Sequence, residues 1–474
     1  MDGAEPQPVS GEAAERGLRR VWGLWDLVLL NVVAITGLRW WLTAAGGYGY
    51  AALPLWILAN LGFFVPSALA VIDLTTRYPE EGGIYVWTKR AFGDLHGFIC
   101  GWCYWTNNLF YFPTLLLFTV GNFLYLFGPS WAGLEKNNLF MALACLAVFW
   151  VAVWVNLRGL RLGRWVNLVG AYGTWIPAAI LVGLAAWSLW RGAPATPLVA
   201  GGLTPAFQIG TIAFFAQICF AFSGFELGAV LSGEVVNPRR NIPVAIIISG
   251  AIITLIYILG TAALLVALPQ KDIGILSGVS YAIGAVQGRM GVAFLAGLSA
   301  LLIALSGLGG VSAWIAGASR IPFLAGIDRY LPEPFGRLHP KHATPYVAII
   351  WMGVISTLLI VMSLAGGPVQ EAYFVLANFT IIVYFIPYLY LFASLVRLAI
   401  GAPPPGSIPV PGGRPGILLV ASVGFLTTLL ASIFALAPPQ GTESVWRYEA
   451  ELLGGCALLI VCGGVLYRRG RRAA

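Results

Sequence analysis

Twelve stretches of this chain run for about twenty residues each with almost no charge, and no arrangement of soluble domains accommodates that pattern. They lie near 22–45, 51–75, 95–127, 138–156, 164–189, 207–232, 242–268, 290–318, 345–363, 371–396, 415–437 and 450–467. A membrane-crossing helix needs about 20 mostly apolar residues, and inside lipid every backbone N–H must be satisfied without water. The pattern therefore reads as an all-α membrane protein with 12 transmembrane helices. The run at 95–127 is too long for one upright span and is expected to tilt or to extend beyond the bilayer. Only 10% of the 474 residues are charged, against about 25% in soluble domains.

The formal net charge of +8 would suit nucleic acid if the cations clustered on one domain, but they are distributed by loop. With the N-terminus inside, the cytoplasmic segments hold 21 of the 27 Lys and Arg residues. These are Arg16, Arg19 and Arg20; Arg77, Lys89 and Arg90; Arg158, Arg161 and Arg164; and Arg239 and Arg240. Further along come Arg320, Arg329, Arg337 and Lys341; Arg397 and Arg414; and Arg468, Arg469, Arg471 and Arg472. The opposite side has Lys136, Arg191, Lys271, Arg289 and Arg447, and Arg39 falls inside the first span. This asymmetry places both termini in the cytoplasm of a multi-pass protein of the cytoplasmic (inner) membrane. The positive charge is then a topological signal that meets anionic lipid, and no nucleic-acid partner is implied. Residues 1–20 carry mixed charges with no apolar core before a cleavage site, so they read as a cytoplasmic tail and not as a signal peptide.

Little supports an enzyme. The six cysteines all lie in apolar runs, which excludes a secreted disulfide framework. Cys100 and Cys103 have metal-site spacing but no second pair or neighbouring His, so they read as small packing residues. His339 and His342 flank Pro340 in a loop and read as solvated. No Gly-rich nucleotide loop is present, so neither a metal nor a cofactor is expected.

Two spans in corresponding positions of the chain share an unusual centre. The first reads Ile35-Thr36-Gly37-Leu38-Arg39, and the sixth reads Phe220-Ala-Phe-Ser223-Gly224-Phe225-Glu226. Each has a Gly beside a hydroxyl residue and a charge within two residues of that Gly. Either Gly alone is accounted for by close helix packing. Gly, hydroxyl and charge at the same place in both spans point instead to interrupted helices of the kind that bind substrate near the bilayer midplane. Such a break frees N–H groups at the start of one half-helix, where an anion is favoured, and C=O groups at the end of the other. A zwitterion fits that pair, so the expected partner is a small amino acid.

Glu226 would be costly facing lipid and is expected to face the bundle interior. It reads either as a protonatable carboxylate that couples proton movement to transport or as a hydrogen-bond anchor for the unwound segment. Arg39 has three readings: pairing with Glu226, binding a substrate carboxylate, or reaching the outer interface.

Around these residues the sequence resembles the amino acid–polyamine–organocation superfamily, from about residue 20 to 400. Tyr78-Pro79-Glu80-Glu81-Gly82-Gly83-Ile84-Tyr85-Val86-Trp87 looks like the family's Pro-x-x-Gly-Gly-x-Tyr segment after helix 2. Glu234-Val-Val-Asn237-Pro238-Arg239-Arg240-Asn241-Ile242-Pro243 looks like its loop after helix 6. The resemblance implies a leucine-transporter-type 5+5 inverted repeat with broken helices 1 and 6, plus two peripheral helices. The layout would be a tail at 1–20, repeats at 21–190 and 205–400, and peripheral helices with a basic tail at 401–474. It also implies gating aromatics at Phe220 and Tyr104, with Trp314 near the helix 8 aromatic. Glu226 matches the acidic residue of the arginine/agmatine and glutamate/GABA antiporters, and Gly101–Phe127 resembles helix 3 of the glutamate/GABA branch. Thr36-Gly37-Leu38-Arg39 departs from the usual Gly-Ser-Gly signature. Thr174 aligns where some members carry a helix 5 lysine. The implied function is secondary active amino-acid transport by proton symport or exchange, neutral or acidic amino acids favoured. A cationic amino-acid or polyamine transporter, or a non-transporting amino-acid receptor, is the alternative. No motif fixes the oligomeric state.

Overall fold

The computed structural model describes residues 18, 20–198, 202–205, 209–291, 294–365, 369–438 and 444–473. The tail at 1–20, with Arg16 and Arg19, lies outside these apart from Leu18 and Arg20, as do the first residues of the 207–232 run. Among the described residues the regular structure is helical, and one isolated β-bridge joins Trp22 to Val235.

In chain order the helices are α1 (Leu24–Ile35), α2 (Arg39–Tyr48), α3 (Ala52–Ala59), α4 (Val65–Arg77), α5 (Ile84–Phe92) and α6 (Asp94–Leu124). Then come α7 (Asn138–Leu157), α8 (Leu160–Trp190), α9 (Ile209–Ala221), α10 (Leu227–Val230), α11 (Pro238–Ala267) and α12 (Gly278–Met290). The last six are α13 (Leu295–Ala318), α14 (Arg320–Ile327), α15 (Tyr346–Ala365), α16 (Val369–Ala399), α17 (Gly413–Phe434) and α18 (Val445–Ala473). Among the described residues, 10 helical stretches are long and apolar enough to cross a membrane, with two shorter apolar helices at Leu24–Ile35 and Ile212–Ala221.

Local chemistry explains several boundaries. Gly49 ends α2 with a φ of +56°, dividing the 39-residue stretch Arg39–Arg77 into two of the apolar runs. A π-helical segment at Asn60–Phe64 joins α3 to α4 just before Pro66. Proline donates no N–H to the preceding turn, and a widened turn absorbs that loss. Three helices were not anticipated from the apolar runs, the short α5 and α14 and the longer α12, and α13 starts at Leu295, later than the run at 290–318. The sequence of α12 has Gln287 and Arg289 among its apolar residues, which hydropathy alone discounts.

The scaffold that carries the interrupted helices is closely packed. Added Cβ atoms at Gly170 or Gly309 would come within about 3 Å of the other's Cα (3.0 Å and 2.9 Å), so α8 and α13 touch backbone to backbone. At one end of the bundle a buried ionic cluster ties three connections together. Arg320 donates from Nη2 to both oxygens of Glu234 at 2.8 Å, and Glu81 accepts from the Gly233 N–H at 2.7 Å. Val21 and Trp22 donate their N–H groups to the Glu234 carbonyl, which fastens the approach to α1 onto the same cluster.

Candidate functional site

The chain leaves α-helical geometry twice in the bundle interior. α1 stops at Ile35, and α2 begins at Arg39. α9 stops at Ala221, and the one-turn α10 begins at Leu227. Gly224 sits at φ +116°, and a Cβ there would lie 3.0 Å from both Ile35 and Trp314. Only glycine is unstrained at that angle, and its missing side chain lets the two breaks touch.

The freed carbonyls have found donors. Tyr257 on α11 places its hydroxyl 2.7 Å from the Ile35 oxygen and 2.8 Å from the Ala221 oxygen, where it can donate to either. The C-terminal ends of α1 and α9 thus share one hydroxyl. Trp314 Nε1 donates to the Ala34 carbonyl at 2.9 Å. Ser223 turns its hydroxyl back onto the Phe220 carbonyl at 2.6 Å.

Glu226 is fully buried. The hydroxyls of Tyr384 and Tyr388, one turn apart on α16, donate to its two carboxylate oxygens. Tyr388 also accepts from the Gly224 N–H at 2.7 Å. Tyr104 packs on Tyr384 with ring centroids 5.5 Å apart and interacts electrostatically with Glu226.

Arg39 is 1% exposed, and its neighbours are neutral. Its Nη2 donates to the Tyr111 hydroxyl at 2.6 Å, its guanidinium lies 4.4 Å from the Trp40 ring centre, and Tyr373 is beside it. Among the described residues no carboxylate forms an ion pair with it. Glu226 is engaged by tyrosines, so one of the three readings of Arg39, pairing with Glu226, is absent from this conformation, and Arg39 does not reach the surface.

Between the two charges lies an aromatic layer. Phe220 touches Trp40, Tyr111 and Tyr384 at 5.6, 6.0 and 5.6 Å, and Trp314 touches Tyr111 and Tyr384 at 5.7 and 5.9 Å. A cavity of about 20 Å³ borders Thr36, Gly37, Arg39, Tyr111 and Ser306. That volume holds about one water and no amino acid.

Ile35, Thr36, Gly37, Leu38, Arg39, Tyr104, Phe220, Ser223, Gly224, Glu226 and Trp314 are therefore gathered at or beside the two breaks. Phe225 turns the other way and packs on Phe64, 4.5 Å between ring centres. Thr174 bonds Ser306 at 2.6 Å, on the far side of the same cavity wall. Sequence reasoning missed Tyr111, Tyr257, Tyr384 and Tyr388. The available signal was tyrosine at helical spacing within apolar runs: seven apart for Tyr104 and Tyr111, four apart for Tyr384 and Tyr388.

A polytopic helical bundle interrupted twice around buried polar groups has the make-up of a membrane transporter. The chain belongs to the amino acid permease family of the amino acid–polyamine–organocation superfamily, whose model matches residues 23–450. It is 31% identical over 447 residues to an uncharacterized transporter of Legionella pneumophila, covering 93% of this chain and 95% of that protein. A glutamate/gamma-aminobutyrate antiporter of Lactococcus lactis is 28% identical over 87% of this chain and 83% of its own length. A probable agmatine/putrescine antiporter of the same organism is 24% identical over 93% of each.

Proposed function

We propose that the chain is a secondary active transporter that carries an amino acid across the cytoplasmic membrane by alternating access. It would work by proton-coupled symport or by amino-acid exchange, with neutral or acidic amino acids favoured. The observation that carries this reading is Arg39: a buried guanidinium with tyrosine and tryptophan neighbours and, among the described residues, no carboxylate pair. A buried cation is costly unless its charge is met, and the planar fork of donors suits a carboxylate. It stands at the first turn of α2, where the helix dipole also favours an anion. A substrate carboxylate supplies the missing partner, while a cationic substrate is repelled.

In this reading Thr36–Leu38 and Ser223–Glu226 form the substrate floor, and Phe220, Tyr104 and Trp314 act as gates. Glu226 is the proton-coupling group, because it is the buried carboxylate beside the second break and two hydroxyls can pass hydrogen bonds to it. The twelve crossings follow if α1 with α2, and α9 with α10, each count once. Residues 21–190 and 205–400 then form inverted repeats, with α17 and α18 peripheral and both termini cytoplasmic.

A second reading, transport of a cationic amino acid or polyamine, draws on the same Glu226. A carboxylate among aromatic faces suits an ammonium group, and one relative carries an agmatine/putrescine name. Competition decides between them. Uptake of a transported amino acid into proteoliposomes is measured against excess glutamate, leucine, arginine or putrescine, in wild type and Arg39→Ala. Inhibition by glutamate or leucine alone, relaxed in the variant, supports the first reading. Strong inhibition by arginine or putrescine, or unchanged selectivity in the variant, overturns it.

A further inference from the structure

α18 packs less of its surface into the bundle than any other described span, with 11% of its apolar window buried. Between it and the facing sides of α6 and α16 runs a groove of about 790 Å³. Its walls are apolar: Phe98 and Trp102 from α6, Val383 and Ile386 from α16, and Gly464 from α18. One residue breaks the pattern. Exposed Arg468 lines the groove at the last turns of α18, beside Arg469.

The dimensions match one leaflet. From Cys456, at the deep end, to Arg468, α18 rises about 18 Å at 1.5 Å per residue. Half of a ~30 Å hydrocarbon core is about 15 Å. A chain lying in the groove therefore brings a headgroup to the level of Arg468. The bias of Lys and Arg places that end at the anionic cytoplasmic surface.

We propose that this groove is a binding site for one anionic phospholipid, its acyl chains between α6, α16 and α18 and its phosphate on Arg468. The site shares walls with the buried carboxylate. On α6, Cys103 faces the groove and the next residue, Tyr104, faces Glu226; on α16, Val383 faces the groove and Tyr384 holds Glu226. An occupied groove braces these two helices from behind at the level where they grip Glu226.

The test uses the full-length protein reconstituted in vesicles of equal phosphatidylglycerol and phosphatidylcholine, then released for native mass spectrometry. It reads bound lipid and needs no transport activity, so its result stands apart from the assignment of substrate. Wild type is expected to retain one phosphatidylglycerol per chain in preference to phosphatidylcholine. Arg468→Gln should lower that retention about fivefold, the worth of one basic residue at an anionic surface. Gly464→Trp should abolish it by filling the groove, since a Cβ at Gly464 meets nothing within 4 Å and the helix is undisturbed. Equal retention of the two lipids by wild type overturns the proposal, with no variant needed. So does retention unchanged in both variants, a free fatty acid in place of the phospholipid, or a second copy of the chain covering the groove.

Discussion

Glu226 and Gly224 lie two residues apart, yet the structure constrains them by different physics. Glu226 is held by charge-accepting hydrogen bonds from two tyrosines, so replacing its carboxylate with an amide keeps the shape and removes the titratable group. If its protonation drives coupling, Glu226→Gln flattens the pH dependence of uptake in liposomes while the protein remains folded. A pH profile identical to wild type would make Glu226 an anchor of the unwound segment instead. Gly224 is held by conformation and space, at φ +116° with Ile35 and Trp314 both 3.0 Å from a built Cβ. Gly224→Ala is expected to destabilise by about 1–3 kcal/mol from the strained backbone alone. Denaturant titration of the purified protein checks this, and a variant as stable as wild type would show that the breaks can move apart freely.

At the scale of elements, two devices hold separate helices in one arrangement. The Tyr257 hydroxyl serves the ends of α1 and α9 together, so Tyr257→Phe should loosen both. Hydrogen exchange is expected to quicken in both interrupted segments, 36–38 and 222–226, at once. Quickening in one alone would show that the hydroxyl serves only one helix. The second device is the cluster of Arg320 with Glu234, both 1% exposed, which links the α10–α11 connection to α14. Removing one partner strands a buried charge, and Arg320→Ala should cost about 3–5 kcal/mol. Neutralising the whole cluster, Arg320→Met with Glu234→Leu and Glu81→Gln (the Glu81 carboxylate lies 3.9 Å from the same guanidinium), should cost less than the single change, because no isolated charge is left behind. Chemical denaturation of the two variants side by side distinguishes these outcomes.

For the whole molecule the decisive expectation is orientation. A membrane-impermeant maleimide applied to intact cells should label a cysteine introduced at Lys271 but not one at Lys341, in a background lacking the six native cysteines. Permeabilised cells should label both. The reverse pattern would invert the topology and with it the side from which Arg39 and Glu226 are reached. A ligand at 100 times its dissociation constant should stabilise the protein by about 2.7 kcal/mol. Thermal unfolding against amino acids and amines therefore reports the substrate class independently of vesicles.

Much of this was local and so legible in the sequence. Span-length apolar runs follow from bilayer thickness, and Thr36-Gly37 and Ser223-Gly224 mark their own interruptions, since a glycine beside a charge in an apolar run has few uses in a helix. The partners of the charges were not local. Glu226 is gripped by residues 158 and 162 positions further along, and Arg39 by one 72 positions away. Periodicity places tyrosines on a helix face but does not say which helix that face meets. For the same reason the sequence left Arg39 open between carboxylate, substrate and surface, and packing alone set it among Trp40, Tyr111 and Tyr373. Phe225 looked like its neighbours in sequence, and only the fold turned it away onto Phe64. The sequence determined that this chain lives in a membrane, where its helices break and that Glu226 lies inside. Tertiary structure decided how those charges are satisfied, because that depends on contacts between helices that no window along the chain contains.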